Sequence, residues 1–111
     1  MKRNMDLIRL ILLHAEGSEA AGVLCEKFTD EERSYHTMLL IDAGLVEGTA
    51  AATHSVITRL TWAGHDFLDA MRDDTLWKKA KEHVIKPGAS FTFDVLKEWL
   101  KFQIKAQLGM P

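Results

Sequence analysis

Residues 59–77 read RLTWAGHDFLDAMRDDTLW, and the reading of this run decides the fold. Its opening closes a stretch, Val56 to Thr61, that alternates apolar and polar as far as Leu60, the period of a strand. Trp62-Ala63-Gly64 turns the chain, and Phe67, Leu68 and Met71 then recur at three- and four-residue spacing, which marks a helix buried on one side. His65, Asp66, Asp69, Arg72 and Asp73 fall on the other side, where Asp69 and Arg72 are spaced to pair. The run is therefore a strand that passes through a corner into a helix charged on one face, with Trp62 expected to be structural at the corner.

Working towards the N-terminus, Leu45 to Glu47 form a matching strand across the small, polar loop GTAAATHS of residues 48–55, which predicts a β-hairpin. Thr29 followed by Asp30, Glu31 and Glu32 has the spacing of a capping box and starts a helix that runs to Ala43. Gly44 is placed to end that helix in a left-handed conformation. Asn4 caps a first helix that is apolar on most sides, as befits the middle of a core. Gly17, Ser18 and Gly22 bracket a break. Val23 to Phe28 after it read as a short strand, although their periodicity also allows a helix. Towards the C-terminus, a helix is predicted over Thr75 to Val84, stopped by Lys86, Pro87 and Gly88, and a last one from about Thr92 to Leu108.

Helix, short strand, helix and two-stranded hairpin are the element order of a winged helix. The expected fold class is thus α+β, mostly α, with a winged-helix-like core at 1–74, a two-stranded wing hairpin, and a C-terminal helical extension of the same domain at 75–111. The phrase SYHTMLLIDAGLVEG resembles the end of a recognition helix entering the first wing strand of small bacterial regulators. Together with the opening MKRNMDLIRLILL and residues 59–77, it resembles a family of small bacterial and prophage proteins known as a domain of unknown function. The resemblance covers most of the chain, strongest over 1–13 and 35–77, and is less typical over Gly17 to Phe28. It implies a fold and a bacterial or phage setting, and is silent on activity.

With 111 residues, 47% of them hydrophobic and 27% charged, the chain has the composition of one ordinary globular domain. Its longest apolar run, Leu10 to Leu13, is far too short for a membrane span, and no signal-peptide pattern opens it, so a cytoplasmic location is expected. A lone Cys25 has no second thiol for a disulfide or a zinc site and is read as a packing residue. Charge is unevenly spread. Residues 1–74 hold seven Lys/Arg against thirteen Asp/Glu, whereas residues 75–111 hold seven against three.

If the chain reads DNA, the helix from Asp30 to Ala43 would face the groove with Arg33, Ser34 and Thr37, while Tyr35, Met38 and Leu39 pack inward. Electrostatics opposes this, because phosphate contacts need Lys and Arg. The helix opens with three acids against one Arg33, and the loop GTAAATHS carries no cation. Lys97, Lys101 and Lys105 form a row that could follow a phosphate backbone or simply face water. Any DNA binding is thus expected to be weak. No phosphate loop, nucleophile elbow or metal-ligand spacing is present, and His65 with Asp69 reads more simply as part of a charged helix face. Neither catalysis nor a metal or cofactor is expected.

The reading ranked first is an accessory protein, transcription-associated or otherwise, that binds a protein partner through Asp30, Glu31, Asp66, Asp69, Asp73 and Asp74. An alternative is a phage inhibitor whose acidic surface imitates nucleic acid for a host enzyme. A weak DNA-binding regulator is a further one. The last helix carries two apolar stripes, Val95-Trp99-Phe102 and Leu96-Leu100-Ile104, of which one suffices for docking on its own core. The other, Val95, Trp99 and Phe102, is the expected surface of a homodimer.

Overall fold

The computed structural model describes residues 1–52, 54–85 and 92–109. It is mostly helical, with α1 (Met5–Ala15), α2 (Glu19–Cys25), α3 (Asp30–Asp42), β1 (Val46–Thr49), β2 (Val56–Leu60), α4 (Trp62–Met71), α5 (Asp74–His83) and α6 (Phe93–Gln107). The chain divides into two compact units, Met1–Leu68 and Asp69–Pro111, so the division falls inside α4. The change from acidic to basic sequence lies shortly after it.

In the first unit each helix begins where a short polar side chain covers open backbone donors. Asn4 Oδ1 accepts the N–H groups of Asp6 and Leu7, at 3.0 and 3.2 Å, and starts α1. Thr29 and Glu32 close the expected capping box at α3: Thr29 Oγ1 accepts from Glu32 N–H at 3.1 Å, and Glu32 Oε1 accepts from Thr29 N–H at 3.0 Å. These bonds, the Thr29 amide first, hold the Glu32 carboxyl below its usual range. The box is therefore fully formed above the ordinary glutamate range and weakens as pH falls through the lowered value. Gly44 ends α3 with φ of 74°.

Val23 to Phe28 are not a strand. Ser18 caps α2, its Oγ accepting from Ala21 N–H at 3.2 Å, and α2 packs on α1. Gly22 lies inside this helix rather than at a break, with the exposed His14 ring of α1 close against it, 2.6 Å from where a Cβ would stand.

β1 and β2 pair antiparallel, with Val46 opposite Leu60 and Thr49 opposite Val56, and a register irregularity between Glu47 and Gly48. The hairpin passes directly into α4. Thr61 N–H donates to the Leu45 carbonyl at 3.0 Å, Thr61 Oγ1 donates to the Gly44 carbonyl at 2.6 Å, and the same oxygen accepts Gly64 N–H at 3.0 Å. Thr61 thus caps α4 and ties it to the end of α3. The buried side chains of this unit include Leu7, Ile8, Leu12, Leu40, Leu45, Val46, Leu60, Phe67 and Leu68.

α1 and α3 are further joined through His36, which is buried. Its Nε2 accepts from Asn4 N–H at 2.8 Å, which leaves Nδ1 as the protonated nitrogen, donating to the Glu32 carbonyl at 2.7 Å. Among the described residues no buried side-chain nitrogen or oxygen lacks a hydrogen-bond partner.

In the second unit Asp73 caps α5, accepting from Leu76 N–H at 3.0 Å, and Thr92 caps α6, accepting from Val95 N–H at 3.2 Å. α5 packs on α6, and Leu76, Trp77, Ala80, Leu96 and Leu100 are buried. The expected stop at Lys86, Pro87 and Gly88 lies outside the described residues. Among the described residues no helix is long and apolar enough to cross a membrane.

Candidate functional site

The first half of α3 was expected to turn Arg33, Ser34 and Thr37 outward. The structure corrects this: Ser34 and Thr37 are only 4% and 5% exposed, while Tyr35, Met38 and Leu39 are half-buried. The reason lies in what Ser34 binds. Its Oγ donates to the Ala51 carbonyl at 2.6 Å and lies 2.7 Å from Ser55 Oγ, so it anchors the hairpin loop against α3. A small hydroxyl that finds such partners can be buried at little cost.

Arg33 is half-buried and committed within its own unit. Nη1 donates to the carbonyls of Cys25 and Phe28, at 3.0 and 2.8 Å, where α2 ends, the Cys25 carbonyl also accepting the Phe28 N–H at 3.1 Å, and Nη2 pairs with Asp30. Arg33 therefore staples the connection between α2 and α3. Cys25, beneath it, is buried, and burial pushes its thiol above the ordinary value against the smaller opposing effect of Arg33. A protonated, enclosed thiol is a poor nucleophile.

Between α1, α2, α3 and β2 lies a cleft of about 710 Å³, lined by residues that include His14, Glu19, Val23, Glu26, His54 and Ile57. No sequence pattern pointed to it, because its walls come from four elements and its floor from Ser34 and Thr37, which were expected on the outside. Arg59, at its edge, is bound across the hairpin to Glu47, with contacts of 2.8 and 2.6 Å. Among the described residues no group of three or more His, Cys, Asp or Glu is placed to hold a metal ion.

The six acids expected to meet a partner are all exposed. Asp30, Glu31 and Asp66 belong to the first unit, and Asp69, Asp73 and Asp74 to the second. Several have local work: Asp30 pairs with Arg33, Asp69 with Arg72 at 2.8 Å, and Asp73 caps α5. On α6, Val95 and Phe102 are 55% and 68% exposed, while Trp99 is half-buried with its ring centroid 6.1 Å from that of His83. Of the other tryptophans, Trp77 is buried, and Trp62, expected to be structural, is instead 83% exposed. It is Thr61 and Gly64 that make the corner.

An uncharacterised protein of Haemophilus influenzae is 42% identical over 107 residues, a match covering 88% of this chain and 91% of the relative. No solved structure matches. A family model described as a hypothetical protein, DUF2513, matches residues 2–90, and the chain belongs to that family.

Proposed function

We propose that this is a non-catalytic accessory protein of bacterial or phage origin, cytoplasmic, whose first unit is a winged-helix-type module used to bind a protein partner. Three helices followed by a two-stranded hairpin support the winged-helix reading. The observation that carries the function is the commitment of Arg33 to the turn between α2 and α3. With Arg33 engaged and Ser34 and Thr37 buried, the N-terminal turn of α3 opens on Glu31 and on an Asp30 already paired with Arg33, and the one cation of that turn is not free to meet a phosphate. The same acidic face favours, as a second reading, imitation of nucleic acid towards a DNA-binding enzyme.

Titration of a mixed duplex pool at about physiological salt is expected to show no sub-micromolar, sequence-selective binding. Capture from host lysate is expected to survive nuclease, and reversing Glu31 and Asp66 together to lysine should slow association with the captured partner several-fold at low salt. Tight sequence-selective DNA binding would overturn the proposal.

We further propose a homodimer through α6. Val95, Trp99 and Phe102 follow one another at helical spacing on one face, and the exposed Val95 and Phe102 flank Trp99, while Leu96 and Leu100 are already buried. Light scattering at micromolar concentration should give twice the chain mass, falling to the single-chain mass in Trp99→Glu. A parent protein that is already monomeric removes the dimer.

A further inference from the structure

The sheet of the first unit has two strands, so β2 keeps one edge unpaired by the hairpin. Among the described residues, no backbone N–H from Val56 to Leu60 donates to the backbone of an element other than β1. Proteins usually cover or blunt such an edge, since it is a template for another strand. Here the 710 Å³ cleft borders it instead, with Ile57 and Thr58 of β2 on one side and Ile11, His14 and Val23 of α1 and α2 on the other. Its volume falls within the roughly 300–1,000 Å³ range of formed binding pockets.

We infer that this cleft receives an extended, basic segment of a partner protein, which adds as a strand to the open edge of β2. The inference rests on the partner-binding reading and specifies its site. A helical segment would satisfy its own backbone and leave the edge groups of β2 without partners, whereas an extended one supplies them. Exposed Val23 and half-buried Ile57 offer apolar seats for alternate side chains. Charge selects the others. Asp30 and Arg59 in the cleft are neutralised by Arg33 and Glu47. Glu19 and Glu26 line the same cleft, are exposed, and have no ion-pair partner among the described residues. Seven residues apart, as the first residue of α2 and its C-cap, they lie on one side of the helix about 10 Å from each other. Side chains on one face of a strand recur about every 7 Å. The long arms of two lysines or arginines two positions apart therefore span the pair of carboxylates.

The test uses the isotope-labelled full chain and a capped octapeptide in which lysine alternates with valine. Amide resonances of Ile57, Thr58 and Arg59 should shift and saturate below about 1 mM peptide, and hydrogen exchange should slow at least about tenfold at those β2 amides that point to the open edge, the protection of a newly paired strand. Methylating alternate peptide nitrogens should weaken binding by about tenfold or more, because it removes the edge hydrogen bonds and leaves the side chains. Glu19→Lys combined with Glu26→Lys, two exposed changes that leave the fold intact, should reverse the preference between this peptide and one with glutamate in place of lysine. Unshifted β2 amides, equal binding of the methylated peptide, or shifts that follow protein concentration without peptide, as a second copy on the edge would produce, each overturn the inference. A captured lysate partner that an excess of the octapeptide fails to displace also removes it, while leaving the accessory-protein reading in place.

Discussion

Phe67→Ala is expected to destabilise the first unit by about 3–5 kcal/mol, the usual loss when a buried phenylalanine ring is deleted and its cavity only partly collapses. Phe67 is the largest of the fully buried side chains and lies on α4 just before the division between the units. Net stability of a small domain is only on the order of 5–15 kcal/mol, so this one truncation removes a large part of it. Thermal unfolding followed by circular dichroism should show Tm lowered by roughly 15 °C or more. A fall of less than about 5 °C would mean that the ring is not part of the unit's core.

Gly64→Ala is expected to cost about 2–3 kcal/mol, although in an ordinary helix the same change gains nearly 1 kcal/mol. A Cβ at Gly64 would lie 1.9 Å from the Leu45 carbonyl oxygen. That atom is backbone and cannot rotate away. It also accepts the Thr61 N–H, so moving it disturbs the joint between hairpin and helix. Urea titration should show a lower midpoint with an unchanged slope, the sign of lost stability without a change in the surface exposed on unfolding. Trp62→Ala, two residues earlier at an exposed site, should change stability by no more than about 0.5 kcal/mol. A larger loss in Trp62→Ala than in Gly64→Ala would overturn this account of the corner.

Much of the fold was legible in the sequence because it is written in local chemistry. Asn4, Thr29 with Glu32, and Gly44 each act on backbone groups within a few residues, so cap and stop signals placed α1 and α3 correctly. Period-two alternation and the Phe67, Leu68, Met71 spacing likewise placed β2 and α4, since one-sided burial imposes those periods. The division of α6 into the buried Leu96 and Leu100 and the exposed Val95 and Phe102 follows from the same periodicity.

Contacts between residues distant in sequence decided the rest. Gly22 reads as a helix breaker, yet it lies inside α2, which packs on α1 with the His14 ring beside that glycine. The polar Ser34 and Thr37 looked solvent-facing because hydropathy cannot register the Ala51 carbonyl and Ser55 hydroxyl that make burial of Ser34 favourable. Arg33 carried a formal charge that suggested a phosphate contact until the carbonyls at the end of α2 were seen to engage it. What the sequence by itself determined was where helices and strands start, stop and repeat, because those signals act through the adjoining backbone. Which polar groups turn inward, and where the cleft beside β2 opens, only the tertiary structure decided, because both depend on partners that the chain brings together only on folding.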